Sequence, residues 1–136
     1  MKKTVAEDIG LLIMRLGTGS MILTHGLAKL MRFFGDEPIK FMDFLGLGPV
    51  ISLSLAVFAE FFCAILIMIG FKTRLATIPL MITMLTAALV AHAADPFGRK
   101  ELPLLYFIVF LSILIFGAGK FSIDGLTNSK SMHYKR

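Results

Sequence analysis

The chain has 136 residues, 57% of them hydrophobic and only 17% charged, with a formal net charge of +5 and a mean hydropathy of +0.83. This is the composition of a membrane protein, and it excludes nucleic acid as the reason for the positive charge: the basic residues are dispersed around the ends of apolar runs, with no basic, aromatic recognition face, so attraction to anionic lipid is the simpler explanation. The single cysteine, Cys63, lies within an apolar run, which excludes an intramolecular disulfide, a CxxC dithiol relay and a four-cysteine metal cluster, and reads as a small buried apolar residue.

Four apolar runs, at residues 9–30, 50–71, 75–94 and 102–118, each approach the roughly 20 residues that span a hydrocarbon core. A segment so apolar must satisfy its own backbone hydrogen bonds in lipid, so each is predicted to be helical. The expected fold is all-α, a polytopic membrane four-helix bundle with a short interfacial helix between helices 1 and 2. One transmembrane domain covers residues 1–126, followed by a polar, disordered tail at 127–136.

The first run is longer than the apolar region of a signal peptide, contains Arg15 and lacks a small-residue cleavage site before its end, so it is expected to remain as a span. Arg15, Thr18, Ile22, His25 and Lys29 follow one another at three- and four-residue offsets, a stripe that should face protein rather than lipid. Gly17, Gly19 and Gly26 suit close helix approach. Asp36-Glu37-Pro38 then predicts a short helix through Leu45 in the interfacial plane, with Phe41, Met42, Phe44 and Leu45 set against Lys40 and Asp43. Gly46-Leu-Gly48-Pro49 turns the chain into the second span, which carries Glu60.

The Gly70-to-Arg74 connection is so short that spans two and three must be antiparallel neighbours. Pro79 favours a kink in the third span, Asp95-Pro96 stops it after His92, and Glu101 opens the fourth. The methionines lack a repeated pairwise motif and read as packing residues, and no internal repeat supports an inverted-repeat transporter.

Basic residues divide eight (Lys2, Lys3, Lys72, Arg74, Lys120, Lys130, Lys135, Arg136) against five (Lys29, Arg32, Lys40, Arg99, Lys100). The larger set belongs in the cytoplasm, which places both termini there. At about 1.5 Å per residue, Arg15 lies roughly 9 Å above the cytoplasmic boundary, His25 and His92 roughly 25 Å above it, and Glu60 roughly 15 Å deep from the other side. Ionisable groups at such positions mark function by default. Arg15 is the nearest cation to Glu60 by depth; the two form either a structural ion pair that fixes helix register or a functional site in which Glu60 is a proton-exchanging carboxyl beneath an outward-facing cavity lined by His25, Lys29, His92 and Glu101. The two histidines are open to several roles: hydrogen-bond partners, quinone contacts or axial haem ligands. Haem is the least favoured of these, because Lys29 and Glu101 share the layer. A zinc site of His25, His92 and Glu101 has suitable ligand types without diagnostic spacing.

In order along the chain, Arg15-Leu-Gly17, His25-Gly26-Leu-Ala-Lys29-Leu30, Gly46-Leu-Gly48-Pro49, Glu60, Gly70-Phe-Lys-Thr73-Arg74, His92, Glu101 with Tyr106, and Gly117-Ala-Gly119-Lys-Phe-Ser122-Ile-Asp124 resemble the DoxX family of small bacterial inner-membrane proteins. Cys63 and Ala64 stand where the family usually has small residues, often glycines. The resemblance implies a four-helix inner-membrane bundle with cytoplasmic termini. Some relatives are named for a subunit of a thiosulfate:quinone oxidoreductase, and others are associated with redox or oxidative-stress complexes.

The leading expectation is a quinone-interacting component of an oxidoreductase complex. His25 and His92 would contact a quinone carbonyl, Glu60 or Glu101 would exchange protons, Arg15 would hold Glu60, and Lys29 would stabilise reduced quinone or attract an anionic donor. With no dithiol or cofactor fingerprint in the chain, such a role needs a quinone, a redox partner subunit, or both. The alternatives are a non-catalytic scaffold or assembly protein and, third, a small-solute carrier.

Overall fold

In the computed structural model, which describes residues 3–134, four long helices close into a ring. They are α1 (Val5–Met31), α2 (Pro49–Ile69), α3 (Thr73–Ala91) and α4 (Phe97–Phe116), followed by α5 (Ile123–Tyr134). Each of the four packs on its sequence neighbour, and α1 also packs on α4. A single 3₁₀ turn, Arg32–Phe34, extends α1. By length and composition α1, α2 and α3 suffice to cross a membrane. The fourth, 20 residues long, opens on Arg99, Lys100 and Glu101 before its apolar run begins.

Local chemistry explains these boundaries. Thr4 caps α1 through a reciprocal box, its hydroxyl accepting from Glu7 N while the Glu7 carboxylate accepts from Thr4 N, and Glu7 and Asp8 complement the positive end of the helix dipole. Proline at the first position of α2 loses no hydrogen bond, since that amide has no helical partner. The end of α2 is closed by Gly70 at φ +72°, with Phe71 N donating to Leu66 O and Gly70 N to Ile67 O, a Schellman arrangement.

The interior holds Ile22, Cys63, Ile67, Leu80, Phe110 and Ile113, all at most 2% exposed. Large apolar side chains also cover the outside, among them Ile13, Met21, Phe62, Ile82, Leu105 and Ile108, as expected where the surrounding solvent is lipid. Close approach of α1 and α2 depends on glycine: a Cβ on Gly19 would lie 2.4 Å from Met68 Cγ, and one on Gly26 would lie 2.4 Å from the Glu60 carbonyl.

Two sequence expectations are corrected. No interfacial helix forms between helices 1 and 2; residues 38–43 are irregular. Phe41, Met42 and Phe44 turn inward over a cavity, and local side-chain acceptors replace helical hydrogen bonds, with Asp43 Oδ1 accepting from Gly48 N (2.8 Å) and Ser52 Oγ from Phe44 N (2.9 Å). Proline at 38 also disfavours helical geometry at Glu37. The second correction concerns the tail expected to be disordered from Thr127, which continues α5 to Tyr134. Its start is nucleated by Ser122 Oγ, which accepts from Gly125 N (2.9 Å). Residues 135 and 136 lie outside the described part.

Asp124, in the first turn of α5, reaches back to the α2–α3 turn and accepts from Lys72 N (2.8 Å) and Thr73 N (2.9 Å), so it caps α3 from another helix. Asp124→Ala is expected to lower stability by about 2 kcal/mol through loss of these charge-assisted bonds, measured by thermal unfolding in detergent. An unchanged midpoint would show that the α2–α3 turn holds without the clamp.

Candidate functional site

Glu60 sits near the middle of α2 within a π-helical stretch, Phe58–Cys63, and is 2% exposed. Gly26 lets the α1 backbone lie against the Glu60 backbone. One turn further along α1, Lys29 Nζ therefore reaches both Glu60 carboxylate oxygens at 2.6 Å. The pair is asymmetric: the Glu60 side chain is 3% exposed and that of Lys29 24%. Lys29 Nζ also lies 5.9 Å from the centroid of the Phe41 ring, within cation–π range.

This ion pair forms part of the wall of a cavity of about 550 Å³. Phe41, Met42 and Phe44 contribute from the α1–α2 connection, Ala56 and Phe58 from α2, and Pro79 and Ile82 from α3, so most of the lining is apolar. The hydroxyls present are already committed: Ser52 donates to Gly48 O, Thr83 to Pro79 O and Thr86 to Ile82 O. His92 completes the lining. It follows a π-helical turn, Ala87–Ala91, that ends α3, and its Nδ1 lies 2.6 Å from Asp95 Oδ2. An ionised carboxylate only accepts, so Nδ1 carries the proton in that contact and Nε2 is the free nitrogen. The His92 hydrogen bond, supported by Arg99 and Lys100, holds the Asp95 carboxyl below the ordinary carboxylate range. The contact therefore persists through neutral pH and weakens as strong acidification protonates Asp95.

Of the six residues expected at the site, the structure brings together Lys29, Glu60 and His92. Arg15 does not hold Glu60. It is 1% exposed at the other end of the bundle, where Nη2 donates to Phe121 O at 2.6 Å. Depth alone had suggested Arg15, but the glycine contact fixes which face of α1 meets Glu60, and Lys29 reaches down to it. His25 is exposed on α1. The buried positions of that helix are Asp8, Leu11, Arg15, Gly19, Ile22 and Gly26, and His25, one residue before Gly26, is turned about 100° away. Glu101 is exposed at the start of α4. Among the described residues no group of three or more His, Cys, Asp or Glu could hold a metal ion, so His25, His92 and Glu101 do not converge as a zinc site.

Sequence reasoning missed the aromatic lid from Phe41 and Phe44 and the apolar wall around Pro79. The signal for the lid was the set of apolar residues Phe41, Met42, Phe44 and Leu45 beside Lys40 and Asp43, equally readable as an interfacial helix. Lys29→Met would leave the Glu60 carboxylate buried without its cation and is expected to cost about 3 kcal/mol, whereas Lys29→Met combined with Glu60→Met should recover most of that loss. Thermal unfolding of the single and double variants tests this; equal losses would show that the two charges are not coupled.

The DoxX family model matches residues 10–93. The chain is 33% identical over 129 residues to "Inner membrane protein YqjF" of Escherichia coli (strain K12), covering 91% of this chain and 96% of that protein. It is 25% identical over 118 residues to "Putative oxidoreductase CatD" of Bacillus subtilis (strain 168), covering 86% of each. No solved structure matches. The family match covers more than half of the chain, and the similarity to the first relative runs through nearly all of it, so this multi-pass membrane protein belongs to the DoxX family.

Proposed function

We propose that the cavity binds the ring of a quinone and that the protein is the membrane component of a quinone-linked oxidoreductase complex, completed by a redox partner subunit. We place it in the bacterial inner membrane with both termini cytoplasmic. The observation that carries this reading is the Lys29–Glu60 ion pair set in the wall of an otherwise apolar cavity of about 550 Å³. Pockets for small ligands combine this size and apolar character with a few polar groups that fix orientation. The name of the Bacillus subtilis relative, "Putative oxidoreductase CatD", supports the same direction, and the excess of basic residues beside the termini supports the orientation.

A bound quinone would supply two-electron, two-proton redox chemistry. The chain's own groups are suited to its demands. Lys29 Nζ, which retains exposure and has donors beyond those facing Glu60, hydrogen-bonds a carbonyl oxygen and favours negative charge there. The Glu60 carboxylate, displaced from Lys29 by such a contact, would accept a proton that the reduced ring releases on oxidation. His92, its ring oriented by Asp95, provides a second proton acceptor at Nε2. The aromatic lid and Pro79 exclude water around the ring. Arg15, His25 and Glu101 take no part in this reading.

Organic extraction of gently purified protein, analysed by absorbance and mass spectrometry, tests the proposal. Wild type is expected to carry quinone. Glu60→Gln and Lys29→Met should reduce its retention about tenfold, corresponding to one charged hydrogen bond, while His25→Ala and Glu101→Gln leave it unchanged. Quinone-free wild type, or equal retention in Glu60→Gln and Lys29→Met, would overturn the site and favour the scaffold reading.

A further inference from the structure

The opposite end of the bundle holds a second, chemically different cavity of about 1070 Å³, an open cleft between the start of α1, the start of α3, the end of α4 and α5. Four cationic side chains, Lys3, Lys72, Arg74 and Lys120, line it against two carboxylates, Asp8 and Asp124. Both carboxylates already have backbone partners. Asp8 Oδ1 accepts from Lys120 N at 2.9 Å, and Asp124 accepts from Lys72 N and Thr73 N. Asp124 also faces the charge of buried Arg15.

The cations are far less committed. Lys3 donates to Phe116 O, and Arg74 Nη2 to Ile115 O at 3.2 Å, each holding a carbonyl in the last turn of α4. The ammonium groups of Lys72 and Lys120 make no hydrogen bond among the described residues, and both residues are exposed. A lysine has three donors and an arginine five, so the cleft carries a surplus of positive charge and of hydrogen-bond donors. Its wall also contains Thr73, which is fully buried with an unpartnered hydroxyl. Behind that wall, Arg15 Nε and Nη1 are likewise unpartnered.

The cleft is not purely polar. Leu75 and Phe116 line it and are 63% and 58% exposed. They stand in the terminal turns of α3 and α4, where the basic end of the bundle meets its lipid-facing surface. A group of cations directly beside exposed apolar side chains matches a molecule with an anionic head and a hydrocarbon body.

We propose that this cleft is a binding site for a phosphate group and that its occupant is an anionic phospholipid, with the headgroup phosphate held by Lys72, Lys120 and Arg74 and the acyl chains lying over Leu75 and Phe116. Free phosphate shares the headgroup chemistry but makes no use of the apolar wall. The site is independent of the Lys29–Glu60 cavity, and its test does not depend on quinone.

Native mass spectrometry of the full chain in detergent, with phosphatidylglycerol or phosphatidylcholine added at equal concentration, tests the assignment. Wild type is expected to retain one phosphatidylglycerol in preference to phosphatidylcholine. The Lys72→Gln, Lys120→Gln double variant should lose that preference by about thirtyfold, as two lysines each contribute near an anionic headgroup. Because these ammonium groups make no hydrogen bond or salt bridge among the described residues, and Lys72 Nζ has only the exposed Phe71 ring at 5.9 Å, the variant should unfold close to the wild-type temperature, a control measured in parallel. Equal retention of the two lipids by wild type overturns the proposal whatever the variant does, as does undiminished selectivity in a folded double variant. Displacement of phosphatidylglycerol only at far higher concentrations of inorganic phosphate supports the lipid as occupant. Stabilisation by inorganic phosphate without lipid selectivity overturns that choice.

Discussion

Gly26 has no side chain, and the backbone of α2 at Glu60 occupies the space that one would fill. Much of the rest of the molecule depends on this contact. It sets the distance between α1 and α2 and selects the face of α1 that is buried. It also puts Lys29 one turn away, where its ammonium meets a carboxylate that would otherwise lie unpaired in the interior. An isolated charge at such a depth is costly, and an ion pair offsets the cost only when its geometry is good. Here two oxygens at 2.6 Å from one nitrogen meet that condition. The glycine is thus the structural condition for the ion pair.

The two π-helical stretches extend the same logic. One contains Glu60 and the other immediately precedes His92, and α3 packs on the first of them. A π turn accommodates an extra residue in the helix and re-aims the side chains after it, which is why such turns gather at functional sites. The hydroxyls around the cavity are turned back onto their own helices. The polar groups left to meet a ligand are therefore few and clustered on Lys29, Glu60 and His92, an arrangement that fixes orientation without making the whole pocket hydrophilic.

What could be read from the sequence follows a physical division. The spans, their order and their antiparallel course were legible because hydropathy and short connections are properties of the chain itself. Depth was legible too, since helical rise is constant, and it placed Lys29 and His92 near the same end. Azimuth was not. Which of His25, Gly26 or Lys29 faces the partner helix is decided by packing, and a one-residue difference rotates a side chain by about 100°. Arg15 and Glu60 looked like partners along the membrane normal, yet Arg15 joins the α4–α5 connection at Phe121. Residues 36–45 carried conflicting signals, and inward burial of Phe41 and Phe44 prevailed over helix formation.

The residues that carried the family resemblance divide accordingly between architecture and chemistry. Gly117 and Gly119 adopt positive φ values of 81° and 79°, conformations open to glycine at little cost. Ser122 caps the next helix and Asp124 clamps the α2–α3 turn, so the C-terminal motif is a structural latch to which Asp8 and Arg15 of α1 also bind. The His25-to-Lys29 motif works differently: Gly26 makes the contact, Lys29 makes the ion pair, and His25 is left on the outer surface. An ionisable group exposed on a membrane span needs a polar partner from outside the bundle. His25, roughly 25 Å along its span, stands near the boundary where headgroups and water supply one, while Lys29, one turn on, lines the cavity.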